Sequence, residues 1–402
     1  MKRKFDYYLL VYLKKPLKYL FKRTIFSVCG IFPLQNKIIA STFKGTKYGD
    51  NPQFIFEELR KLDNTVDFVW MKKDDCTFDI PSWIRQISWN LTIKTIYELS
   101  TAKVIIDTHR FRKNIIKRKG QLFIETWHGG LGIKKIETDV PKFCNDKLVT
   151  DEIETTNRVA DVFISQSDHL SNIYRRAFKY KGPIWKCGYP KNDVFFSDNS
   201  QINLKVRETY NIKDKNIVLY APSFRDNFYE DIDISVYSVD FERLRQTLTE
   251  HFGGEWVVMT RWHPLFATQI SNKMNISSNV IDATKYPDIQ DLLMTVDVLI
   301  SDYSSCMFDA ALRKIPCFIY ATDVEEYSSD RGLYYQMEEL PFPFASNNNE
   351  LVKNVLNFNE QDYRLCLKRF FERVGLVETG HAGKDIARKI YSFMKGEKIE
   401  WG

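Results

Sequence analysis

Val296-Asp-Val-Leu-Ile-Ser-Asp-Tyr-Ser-Ser-Cys-Met-Phe-Asp-Ala-Ala-Leu312 reads as three pieces in a row. Its opening residues form a short apolar run ending at Ser301, the pattern of a strand buried on both faces. Ser304 and Ser305 are helix-capping residue types, and a helix is expected to start around Ser304. Strand, polar turn and helix in this order make the unit of a parallel α/β sheet, whose ligands collect beyond the carboxyl ends of the strands. The amides of such a helix start bind anions, although capping alone would also account for both serines. Asp309 follows Ser305 by four positions and so shares its helix face.

Outward from this stretch the same rhythm recurs. Apolar, β-branched runs lie at Lys37–Phe43, Val66–Met71, Lys103–Asp107, Gln121–Thr126 and Asp161–Ser165, and again at Asn216–Ala221, Trp256–Thr260, Val280–Asp282, Val296–Ser301 and Pro316–Tyr320. Helical patterns separate most of them, which predicts parallel sheets with both faces covered. The 402 residues, 44% of them hydrophobic, suffice for two cores. The fold class expected is α/β: two doubly wound, Rossmann-like domains, with a basic amphipathic helical segment in front. Boundaries are expected at 1–34 for that segment, 35–200 and 201–375 for the two domains, and 376–402 for a terminal helix packing back across both lobes. The polar stretch Ser197–Gln201 marks the join.

Charge is unevenly placed. Eight Lys and Arg residues against Asp6 put +7 into the first 24 residues, so the rest carries about −1 of the formal +6. A nucleic-acid binder spreads its basic residues over a folded face, so that class is excluded and an anionic membrane surface is the expected partner. Phe5, Tyr8, Leu9, Leu13, Leu17, Leu20, Phe21, Ile25 and Val28 set apolar stripes among these cations. The uncharged stretches are shorter than the ~20 residues of a membrane span. Lys14 and Lys15 directly after the first apolar run, with no small-residue cleavage site, argue against a signal peptide. The stripe suits either a bilayer surface or the protein's own first domain. Seven scattered cysteines without a CxxC pair read as reduced thiols, mostly small core residues, which places the chain on the cytoplasmic face of the membrane.

Several polar groups fall just past strand ends. His128 follows the strand ending at Thr126–Trp127 and precedes Gly129, Gly130 and Gly132, with Lys134 and Lys135 behind. A neutral imidazole at this turn can take a proton from an attacking hydroxyl, and the glycines let a substrate approach the backbone. Arg261–Trp262–His263–Pro264 stands in the same relation to Trp256–Thr260 and suits a phosphate. Tyr220-Ala-Pro-Ser-Phe-Arg225-Asp226 supplies an arginine able to reach a phosphate, whereas Asn192 and Asp193 in Cys187-Gly-Tyr-Pro-Lys-Asn192-Asp193 can simply close a turn. No paired-carboxylate site accompanies the phosphate region, so no metal and no obligatory cofactor is expected.

Taken in order, Phe43–Gly45 with Tyr48–Pro52, Thr126–Gly129, Gly188–Asp193, Tyr220–Asp226, Arg261–Pro264, Tyr286–Leu293, Ser301–Asp309 and Arg331–Gly332 resemble the CDP-glycerol glycerophosphotransferase family, the TagB/TagF-type enzymes of wall teichoic acid and some capsule synthesis. The resemblance covers about residues 37 to 335 and rests on shared order and spacing. It implies a GT-B-like fold with the active site between the lobes, the donor CDP-glycerol on the second and a lipid-linked or polymeric envelope acceptor on the first. It further implies displacement at phosphorus with release of CMP. His128 becomes the base on the acceptor hydroxyl, and His263 with Arg261 holds the donor diphosphate, helped by Ser304, Ser305 and Arg225. Asp302, Asp309 and Arg331 are implied as donor or polyol contacts, and Trp127, Gly129, Gly130 and Lys134 as the acceptor-side loop. That loop reads Trp127-His-Gly-Gly-Leu-Gly-Ile-Lys134-Lys135, one residue longer than the family's usual Trp-His-Gly-Thr-Pro-Leu-Lys-Lys, and is expected to be more flexible. A CDP-ribitol donor, or a nucleotide-sugar glycosyltransferase or 2-epimerase on the same fold, are the alternative readings.

Overall fold

The computed structural model describes residues 15–110, 115–198, 200–225, 233–263 and 280–401. The start of the basic segment (1–14), Asp226 and Pro264 lie outside the described residues.

Two parallel sheets carry the architecture. The first contains β1 (Gln35–Ser41), β2 (Asp67–Lys72), β3 (Arg85–Ser88), β4 (Ala102–Asp107), β5 (Leu122–Glu125), β6 (Val162–Ser165) and β7 (Ile184–Lys186). Its order is β3-β2-β1-β4-β5-β6-β7. The second contains β8 (Asn216–Tyr220), β9 (Trp256–Thr260), β10 (Val280–Asp282), β11 (Val298–Ser301), β12 (Cys317–Tyr320) and β13 (Phe344–Ala345), in the order β10-β9-β8-β11-β12-β13. Every pairing is parallel, as the apolar runs require, because such strands are buried on both faces. Each sheet accordingly has an apolar core on either side. This is the two-lobed, GT-B-like α/β class expected from the sequence.

The strands absent from the sequence reading are β3, β7 and β13, each at the edge of its sheet. They are two to four residues long and partly exposed, so they lack a continuous apolar run.

The chain returns to its first lobe at the end. Helix Glu360–Val374 packs Tyr363, Leu367, Phe370 and Val374 into the second lobe, and helix Ala382–Met394 then buries Ile386, Ala387, Ile390 and Met394 in the first. At the other end, helix Lys15–Cys29 tucks Phe26 and Cys29 into the first lobe. Its outer side presents Leu20 and Phe21, each 61% exposed, with Val28, and Ile31 and Phe32 are exposed in the turn that follows. Among the described residues no helix is long and apolar enough to cross a membrane. All seven cysteines are unpaired.

Candidate active site

In each sheet the strand order reverses at one point, between β1 and β4 in the first and between β8 and β11 in the second. Crossovers leave on opposite faces there, so a crevice opens past the carboxyl ends. The two crevices face each other across a cleft of about 1900 Å³. Phe43, His109 and His128 line it from the first lobe, and Phe224, Arg261, His263, Ser304 and Ser305 from the second.

His128 is held by backbone that few residues adopt. Trp127 has φ +54°, in the left-handed region, and its amide donates to the Glu125 carboxylate at 2.9 Å. Its carbonyl accepts from Thr126 Oγ1 at 3.0 Å and Asn51 Nδ2 at 3.3 Å, so the surroundings maintain a strained turn. His128 Nδ1 lies 2.9 Å from the Thr108 carbonyl. A carbonyl only accepts, so Nδ1 carries the proton and Nε2 is left as the basic nitrogen. The ring stacks on His109, centroids 4.2 Å apart and planes at 12°. Burial, and then the charge of His109, hold the His128 imidazole well below its ordinary value of 6.5, so it is neutral at working pH.

The loop after His128 is not the flexible element expected from its length. Leu131 and Ile133 are fully buried in the core of the second lobe. The Ile133 carbonyl accepts from Tyr334 N at 2.8 Å, and Lys135 N donates to the Gly332 carbonyl at 2.9 Å, with Lys134 opposite Leu333. Apolar anchoring and a short antiparallel ladder thus tie it across the lobes. A side chain at Gly130 would force the buried Gln166 to move, since a Cβ would sit 2.5 Å from its Oε1. Trp127, Gly129, Gly130 and Lys134 all line the cleft.

On the second lobe, Arg261 Nη1 donates to the carbonyls of Tyr286 (2.8 Å) and Ala283 (3.2 Å), which aims its guanidinium along the cleft wall. His263 lies beside Phe224, ring centroids 4.9 Å apart, and burial with the nearby Lys134 pushes its imidazole down to about 4. Ser305 precedes helix Cys306–Ala311 without a side-chain capping bond, and Ser304 Oγ accepts only a long 3.4 Å contact from Cys306 N. Capping therefore does not explain the pair. Arg331 reaches the same cleft, its Nε 3.3 Å from the Lys135 carbonyl.

Two expectations are corrected. Arg225 does not reach toward a phosphate: its Nη1 is 2.9 Å from Asp302 and its Nε 2.6 Å from Asp323, with Tyr237, Tyr303 and Tyr327 packed around the guanidinium. Asp302 is likewise no ligand contact. It is 1% exposed and accepts from Ser223 N, Tyr303 N and Arg225, fastening the turns after β8 and β11. Asp309 is buried against Lys191 of the first lobe at 3.1 Å and against Asn192, and it lines a smaller pocket between the lobes. Buried ion pairs and phosphate sites call for the same residue types, and only position separates them.

Residues the sequence reading passed over also gather here. His109 follows β4 just as His128 follows β5, and that parallel was the available signal. Lys191, Asp288 and Gln290 sit between the lobes inside motifs whose polar residues read equally well as turns. Glu378 accepts from Tyr189 N and Asn192 Nδ2, and burial pushes its carboxyl up to about 8. It belongs to the returning C-terminal segment, where no local pattern announces it.

Two curated relatives are teichoic acid poly(glycerol phosphate) polymerases. One, from Bacillus subtilis (strain 168), is 28% identical over 92% of this chain, which spans only 50% of that protein's length. The other, from Bacillus spizizenii (strain ATCC 23059 / NRRL B-14472 / W23), is 28% identical over 91% of this chain and 95% of its own. Among solved structures, a variant of the wall teichoic acid polymerase TagF superposes with a TM-score of 0.81 at 25% identity, covering 95% of this chain and 98% of that one. The model of the CDP-glycerol:poly(glycerophosphate) glycerophosphotransferase family matches residues 25–392, and the chain belongs to that family.

Proposed function

We propose that the chain transfers glycerol phosphate from CDP-glycerol to a glycerol-phosphate-bearing acceptor in teichoic acid synthesis, releasing CMP. The observation that carries this reading is the cleft itself, which sets a neutral histidine with a basic Nε2 on one lobe against Arg261, His263, Ser304 and Ser305 on the other. His128 takes the proton from the acceptor hydroxyl as its oxygen attacks the glycerol-bearing phosphorus. The bond from that phosphorus to the CMP oxygen breaks, and CMP leaves with the electron pair. Arg261 and Arg331 offset the charge spreading over the phosphate oxygens, and an anion beside His263 raises its basicity so that it can share a proton.

The site works at an anionic membrane surface on its cytoplasmic side, with a lipid-linked acceptor. Supporting this, helix Lys15–Cys29 contains no acidic residue and turns its apolar outer side away from the core.

The test is release of CMP from CDP-glycerol by the full chain, supplied with a membrane-anchored oligomeric glycerol phosphate acceptor. Turnover that requires the acceptor and extends it by glycerol phosphate is expected. No turnover, with CDP-glycerol still intact, overturns the reading.

A further inference from the structure

A smaller pocket of about 150 Å³ shares His128, Ser304 and Ser305 with the main cleft. Asp50 and Lys191 of the first lobe and Asp288 and Gln290 of the second complete its walls. Its charge differs from that of its neighbour. Lys191 is neutralised by Asp309 at 3.1 Å, and Lys47 is the other cation among the described lining residues, against three carboxylates. A phosphate is better served by the main cleft, with Lys134, Arg261 and Arg331. Hydroxyl groups, which donate to carboxylates and accept from ammonium groups, fit the smaller pocket.

Gln290 supplies an independent sign of a missing ligand. It is 2% exposed, and its Nε2 donates to Asn192 Oδ1 at 2.9 Å, yet its Oε1 has no partner. A buried acceptor without a donor is costly unless a ligand or water provides one. The pocket is far smaller than the main cleft and opens into it at His128, Ser304 and Ser305, so it suits a small polar head group attached to a ligand that lies in the larger space.

We propose that this pocket is the polyol subsite, in which Asp50, Asp288 and Gln290 Oε1 accept hydrogen bonds from the hydroxyls of a glyceryl head group. This rests on the glycerophosphotransfer reading and names the part of the substrate that the main cleft does not hold. The glyceryl belongs either to the donor or to the end of the acceptor, and both bring the same hydroxyls beside His128.

Two substitutions test it without disturbing the backbone. Asp50 has φ +59°, which Asn tolerates, and Asp288 caps helix Ile289–Thr295 by accepting from Gln290 N, which Asn also does. D50N and D288N are made in the full chain, checked by thermal denaturation, and titrated calorimetrically with CDP-glycerol and with CDP. Loss of CDP-glycerol affinity by about ten-fold per substitution, with CDP affinity kept, places the donor glyceryl in the pocket. Unchanged donor affinity with a rise of about ten-fold in KM for an oligomeric glycerol phosphate acceptor places the acceptor's terminal glyceryl there. Equal weakening of CDP and CDP-glycerol, or no change in any of the three measurements, overturns the subsite alone. Binding of CDP but not CDP-glycerol by the unsubstituted protein overturns the transfer reading and the subsite together.

Discussion

His109 lies flat against His128, ring centroids 4.2 Å apart, while the Thr108 carbonyl accepts a hydrogen bond from His128 Nδ1. The neighbour and the carbonyl together fix which nitrogen is basic and which way the ring faces. Replacing His128 with Ala is expected to lower kcat by ~10²–10⁴ and leave CDP-glycerol affinity nearly unchanged. His109→Phe keeps the stack and is expected to cost less than about ten-fold in kcat. Steady-state kinetics beside calorimetry separate these outcomes.

The pH dependence has a definite sign. His109 and His263 are pushed down to about 4, and His128 well below 6.5, in each case chiefly by burial. The base is therefore already neutral above 6.5, and the acidic limb of kcat/KM is expected below that value. The same groups affect stability. The unfolded chain takes up protons that the folded chain refuses as pH drops through 6.5, so their contribution is intact above 6.5 and is lost toward about 4. Denaturant titrations between pH 7 and 4.5 measure the decline.

Glu378 acts in the opposite sense. Its carboxyl is raised by burial from 4.5 to about 8, so the stability it contributes is full below 4.5 and is lost as pH rises through about 8. Glu378→Gln is expected to match the unsubstituted protein at pH 5 and to be the more stable of the two at pH 9, by on the order of 1–3 kcal/mol. Urea unfolding at the two pH values checks it.

Arg225 is expected to matter for folding rather than for binding. Arg225→Ala leaves Asp302 and Asp323 buried without their cation, at a cost of about 3–5 kcal/mol. Thermal unfolding should show the loss, while the remaining folded protein binds CDP-glycerol with unchanged affinity.

Membrane association should follow the outer side of helix Lys15–Cys29 and the turn after it. Replacing Leu20, Phe21 and Ile31 together with Ser is expected to abolish sedimentation with phosphatidylglycerol vesicles and leave CMP release from a water-soluble acceptor intact.

Much of this arrangement is legible in the residues. Nine of the ten apolar, β-branched runs form strands inside their sheets and the tenth, β10, lies at an edge, whereas β3, β7 and β13 are edge strands without a continuous apolar run to announce them. His128, Arg261, His263, Ser304 and Ser305 fall into one cleft because each follows the carboxyl end of a strand at, or one strand away from, the point where strand order reverses. Arg225 and Asp302 meet each other instead of a ligand, and one dimension cannot distinguish those partners. Asp309 meets Lys191 from 118 positions away. Such a pairing depends on how the two sheets are apposed, which no local pattern encodes.

The ladder joining Ile133 and Lys135 to Gly332 and Tyr334 makes the stretch after His128 mechanically part of both halves of the molecule. Swinging the halves apart pulls that stretch from both ends. It breaks two backbone bonds of about 0.5–1.5 kcal/mol each and draws Leu131 and Ile133 out of their seats. The position of the His128 turn relative to the second lobe is thereby set before any substrate enters, rather than by closure around one.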